Sequence, residues 1–238
     1  MVAVKEMRVR RLLIGFSVDP ELSVREDWAR SMFNALQDEF PQLLGTPIIL
    51  PDQAASFLTP AGEDSPAVQI CHIARRNILV GSDDPSRDRM ESIPSLARRV
   101  YEVSREMFHV GRVTRLGRVQ VTSWLLNTEA DDAAGVIRTG LTKLGADEAA
   151  DVDLLFVKRE ESFNINLKLS TGSNSPQPTG QQLLDLLIAQ SDVNNWDVTG
   201  DVSWEDAQKI ISRGAKHANE EVPTFFRERL GLKLTESH

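Results

Sequence analysis

Phe163, Ile165, Leu167 and Leu169 alternate with Asn164, Asn166 and Lys168, so an extended chain here has one face to bury and one to leave wet. The same period places Leu12, Ile14, Phe16 and Val18 on one face of residues 8–18. Between such strands the apolar period becomes that of a helix. Ser23 followed by Glu26 reads as a capping box, and Trp28, Met32, Leu36 and Phe40 then recur every fourth residue up to Pro41, which predicts a helix over 23–40.

Residues 41–66 carry Pro41, Pro47, Pro51, Pro60 and Pro66 and read as an irregular crossing, with a short extended piece at 48–50 and a mobile loop at 52–65. Strands at 67–73 and 77–81, joined through Arg75, Arg76 and Asn77, make a hairpin. Ser92 caps a second helix, with Ile93, Leu96, Val100, Met107 and Phe108 on its apolar stripe and Gly111 at its end. The order then restarts. A strand at 113–126, with Gly117 as a bulge candidate, precedes a helix at 131–144 and a hairpin of 152–158 with 163–169. A Ser/Pro/Gly-rich loop at 171–178 leads to a helix at 180–190 capped by Thr179.

An added strand at 195–202 feeds a closing helix, capped by Ser203 with Asp206 and lined by Ala207, Ile210, Ile211, Ala218, Val222 and Phe225. Pro223 must kink that helix or restart it. The expected fold class is α+β. Two βαββα-like units, 1–111 and 112–238, form one extended antiparallel sheet with helices packed on one face, the second unit carrying the extra strand and the long C-terminal helix. The two are expected to pack as one compact body.

Charge narrows the function. With 27 basic and 35 acidic side chains among 238 residues the net charge is −8, which argues against broad attraction to nucleic acid or an anionic membrane. Against that background Arg98, Arg99, Arg105, Arg112, Arg115 and Arg118 form the densest positive stretch. It reads as a nucleic-acid surface or as a solvated helix face followed by a solvated strand face. Cys71 is the only cysteine, so no intramolecular disulfide forms, and its strand setting marks it as a core residue. His72 beside it points to the opposite face, which leaves no Cys–His nucleophile pair. The first residues are too short in their apolar part for a signal peptide, and no apolar run approaches the ~20 residues of a spanning helix. The expected compartment is the cytoplasm.

Several constellations have the layout of a site. Asn195, Asp197, Thr199 and Asp206 fall at oxygen-ligand positions of a calcium loop with Gly200 at its turn, although Trp196 and Val198 stand where such loops stay polar. A strand running into the Ser203 cap accounts for the same residues. Asp153 on one hairpin strand, with Asn166 and Lys168 on the next, has the layout in which metal-dependent nucleases hold Mg²⁺. Asn166 stands where a second acid is needed, and alternation on a wet face explains all three. His72, His109, His217 and His238 match no zinc spacing. His109 suits the last turn of a helix, and His217 is expected on the polar side of the closing helix. Without a Gly-x-Ser-x-Gly elbow, a Walker loop or a Gly-x-Gly-x-x-Gly turn, no cofactor is expected. Phe225 and Phe226 are adjacent on a helix and cannot both face one core, so one of them is a candidate interface residue.

Three stretches, LIGFSVDPELSVREDWARSMFNALQDEFPQL, RLGRVQVTSWLL and DVTGDVSWEDAQKIISRGAKHANEEVPTFFRERL, together resemble a sporadically distributed group of uncharacterised bacterial proteins of similar length. In that group a strand of alternating acidic and apolar residues precedes a helix that ends near an aromatic pair. Asp197, Val198 and Asp201 hold the first place here, and Phe225 and Phe226 the second. The resemblance implies an α+β fold, a bacterial cytoplasmic origin and an accessory role such as those in toxin–antitoxin or phage-defence cassettes. It carries no active-site residues. The expected function is therefore a non-catalytic interaction or regulatory subunit that binds a protein encoded by a neighbouring gene, with a homo-oligomer also open. The alternatives are a metal-dependent hydrolase or nuclease and a nucleic-acid-binding module.

Overall fold

The alternating segments assemble into nine strands whose neighbours are all antiparallel, and the fold is α+β. The computed structural model describes residues 7–19, 21–40, 47–57, 69–83, 87–111, 115–127, 137–138, 140–142, 153–173, 185–195 and 201–230. In chain order the elements are β1 (Met7–Asp19), α1 (Glu26–Gln37), β2 (Pro47–Leu50), β3 (Ala54–Phe57), β4 (Gln69–Ala74), β5 (Asn77–Asp83) and α2 (Arg87–Gly111). There follow β6 (Arg115–Asn127), β7 (Leu154–Glu160), β8 (Phe163–Ser173), β9 (Asp185–Asn195), α3 (Trp204–Lys216), a π-helical turn (His217–Glu221) and α4 (Val222–Arg229). Ile137, Arg138, Gly140 and Leu141 are also helical.

The sheet runs β2-β3-β4-β5-β1-β6-β9-β8-β7, so the long strands β1 and β6 pair at its centre and each half unrolls outward from them. One row crosses six strands. Cys71 pairs with Val80, Val80 with Ile14, Ile14 with Val121, Val121 with Val193 and Val193 with Ile165. All six are buried, because every second strand residue faces the helices. α3 packs directly on this row. A Cβ on Gly214 would stand 2.7 Å from Val121, so only glycine permits that approach. The cluster built on the row draws in Trp28, Met32 and Leu36 from α1, Leu96, Val100 and Tyr101 from α2, and Ile210 and Ile211 from α3. A smaller cluster of Ile137, Leu167, Leu169, Leu187, Ala189, Ala218, Val222 and Phe226 sits under the second half.

Several expectations need correction. The repeated unit is strand, helix, three-stranded meander, helix. β3-β4-β5 is the meander of the first half and β7-β8-β9 that of the second, while β2 is an addition to the first. Of the helix expected at 180–190, residues 185–190 belong instead to the strand β9, whose Leu187, Ala189, Ser191 and Val193 alternate into the core. Leu, Ala and Gln favour a helix locally, but a chain paired on both sides by β6 and β8 takes its conformation from those ladders. Of the strand expected at 195–202, Asn195 is the last residue of β9 and 201–202 have no regular structure, while residues 196–200 lie outside the described residues. Within the loop expected at 52–65, residues 54–57 form β3 because Ala55 and Phe57 are buried, Phe57 with its ring 5.3 Å from that of Phe33.

Start signals fared unevenly. Ser203 caps α3 as expected, accepting from the Asp206 amide at 3.1 Å. Ser23 does not cap α1; Arg25 occupies that position, and the Ser23 hydroxyl turns to Asp52. Ser92 lies inside α2, which starts at Arg87 and carries Pro94 within it. The bulge expected at Gly117 is present, since Phe16 faces Val119 while Val18 faces Leu116.

Candidate functional site

β2 and β7 are the two outer strands, and they are finished differently. β2 has four residues and opens on Pro47, which has no amide hydrogen to offer a neighbouring strand. β7 has seven, and in its middle Leu155, Phe156 and Val157 are 64%, 39% and 56% exposed. Among the described residues no strand pairs with its outer side, so a row of backbone donors and acceptors lies open beside three large apolar side chains. Phe156 lies on the helix-covered face, since its partner Leu167 is buried there, and Leu155 and Val157 lie on the other.

α4 supplies the second part of this surface. Phe225 meets Phe156 edge-on with ring centroids 5.3 Å apart, and Phe226 stands behind it at 6.0 Å, fully buried. Of the adjacent pair singled out in the sequence, Phe226 is thus core and Phe225 is the partly exposed partner of the edge strand.

The far end of β7 is fixed. Arg213 of α3 holds both oxygens of Glu160, at 2.9 and 3.0 Å, and reaches Glu221 at 3.0 Å. The guanidinium of Arg213, with the Lys158 ammonium second, holds the Glu160 carboxyl at about 2. The edge strand is therefore pinned at one end while its apolar middle stays open.

The other candidates are placed as follows. Asp153 and Lys168 do meet, as an ion pair at 3.1 Å, while Asn166 pairs in register with Val157 and Asp192. Asn195 closes β9 opposite Phe163, and Asp206 bonds to Ser203 and Lys209, the Lys209 contact holding its carboxyl below the usual range. Asp197 and Thr199 lie outside the described residues, as do Arg112 and His238. Among the described residues no three His, Cys, Asp or Glu side chains gather as a metal-holding group.

Three arginines of the basic stretch have acidic partners: Arg98 with Glu102, Arg99 with Glu39 and Arg105 with Asp201. That last pair lies beside the Tyr101 hydroxyl, which donates to the Val202 carbonyl at 2.7 Å and ties α2 to the start of α3. Arg115 and Arg118 lie on β6. An open depression at the α1 start, lined by Arg25, Glu26, Asp27, Arg30, Pro51 and Asp52, likewise has its arginines paired, to Asp27 and Glu26.

Two serine–histidine pairs escaped the sequence reading. Ser56 and His72 meet at 2.7 Å across β3 and β4. Ser191 and His217 meet at 2.7 Å beneath α3, both buried, which corrects the expectation that His217 faces solvent. His217 lies seven residues after Ile210, two helical turns on along the same stripe, and that spacing could have found it. Burial holds both imidazoles below their ordinary value. With no access for a substrate, Ser191 and His217 act as a satisfied polar contact within the core. Cys71 is fully buried, and burial pushes its thiol up to about 12, so it packs and does not react. No helix among the described residues is long and apolar enough to cross a membrane. The chain matches no known protein family and no curated protein.

Proposed function

We propose that this chain is a non-catalytic protein-binding subunit and that it docks its partner on the outer edge of β7, with Phe156 and Phe225 beside it. The observation that carries the reading is the exposure of Leu155, Phe156 and Val157 on a sheet edge that no described strand covers. β7 carries its charges, Lys158, Arg159 and Glu160, at one end, and the apolar run before them is the kind of surface that binding sites present. The resemblance to a sporadically distributed bacterial group adds the setting, an accessory component of a multi-protein system whose partner is encoded nearby.

Co-expression with the products of the flanking genes tests it. The wild-type chain is expected to retain one of them through affinity and size-exclusion steps, and the double variant Leu155→Lys/Val157→Lys to lose it. Equal retention by both chains, or none by the wild type, would refute the assignment.

A further inference from the structure

The two halves of the sheet can be overlaid residue by residue through the central Ile14–Val121 pair. In the first half a row runs from Phe16 through Ile78, Ile73 and Ala55 to Ile49 of β2. In the second the matching row runs from Ser123 through Ser191 and Leu167 to Phe156, where among the described residues it ends. β7 is thus the counterpart of β3, and Phe156 the counterpart of Ala55. By the same offset Leu155 and Val157 match Ala54 and Ser56, which face Leu50 and Ile48 of β2. The three exposed apolar residues of β7 thus have counterparts that are paired with a strand in the other half.

We infer that the outer edge of β7 takes a short extended peptide of a partner protein, added antiparallel along residues 155–158 with aliphatic side chains on both of its faces. β2 shows what fills such a place in this architecture: Pro47, Ile48, Ile49 and Leu50, with Ile49 packed on the core and its neighbours turned to the open face. The main chain of β7 would supply the ladder bonds that hold the peptide, and its side chains would choose among peptides. On the helix-covered face the central residue of the peptide would meet Phe156 and, beside it, Phe225. On the other face the flanking residues would cover Leu155 and Val157.

This inference rests on the reading of β7 as the docking surface, and its test is separable from that reading. A synthetic peptide of residues 46–53, which carries the β2 sequence, is titrated into the isotope-labelled full chain and followed by amide NMR. The expected result is saturable shifts centred on residues 155–158. Binding should weaken about tenfold or more when the peptide carries Ile49→Lys or the protein carries Leu155→Lys/Val157→Lys. No shift in β7 at millimolar peptide, or equal binding by the variants, overturns the inference. So does a wild-type chain that is dimeric while the double variant is monomeric, since a second copy then holds the edge. If the peptide fails while partner retention still depends on Leu155 and Val157, the docking surface stands and only the peptide assignment falls.

Discussion

Through the row beside the central pair the first half of the sheet is apolar, and the second carries a serine pair there. Phe16 and Ile78 face each other in the first half, where Ser123 and Ser191 face each other in the second. The Ser191 hydroxyl is engaged by His217, and nearby Arg213 gathers Glu160 and Glu221. β3 is paired with β2, whereas β7 has its apolar residues in the open. One module used twice has thus been packed for stability on one side. On the other it carries buried polar contacts and an edge that no described strand covers.

The largest expected effect breaks the apolar row. Phe16→Ala removes a ring from the centre of the main cluster and should cost about 3–5 kcal/mol in urea unfolding. Gly214→Ala drives a methyl group onto Val121, where the halves meet, and should cost about 1–3 kcal/mol. In the second half, Ser191→Ala leaves the buried His217 ring without its partner, at about 1–2 kcal/mol by the same assay.

Acid should act in two separate windows. Burial lowers the His217 pKa below its ordinary 6.5, so the folded chain favours neutral imidazole. Stability is then full above that value and falls as pH drops below it, because the unfolded chain takes the proton first. His72 acts in the same direction. Glu160, held low by Arg213, contributes stability above its ordinary 4.5 that is lost as pH falls towards about 2. Melting temperature against pH should show two declines, and Glu160→Gln should flatten only the lower one, costing about 1 kcal/mol near neutrality. The smallest effect belongs to Leu155→Lys/Val157→Lys, within about 0.5 kcal/mol of wild type, since both side chains already face water.

Much of this architecture was legible in the residues. The apolar alternation of β1, β6 and β8 marked strands, and Ser203 marked the start of α3, because each signal is local and is satisfied locally. β9 was not legible. Its leucines and alanine suit a helix, and only the two ladders flanking it decide otherwise. The fate of the Phe225–Phe226 pair was hidden in the π-helical turn. From Ala207, a regular helix repeats its buried stripe at Phe225, five turns later. The wider turn at His217–Glu221 delays the stripe by one residue, so Phe226 goes into the core and Phe225 is left at the rim. The open edge itself was out of reach, since alternation shows which face of a strand is buried and not whether a neighbour lies beside it.

Native-state hydrogen exchange compares the two counterpart strands directly. Backbone amides of β3 should be protected along its length, being laddered to β2 on one side and β4 on the other. In β7 the amides that face β8 should be protected, and the alternate ones that face outward should exchange as freely as a loop. Uniform protection along residues 154–160 would mean that the edge is already covered, and the proposed docking site with it.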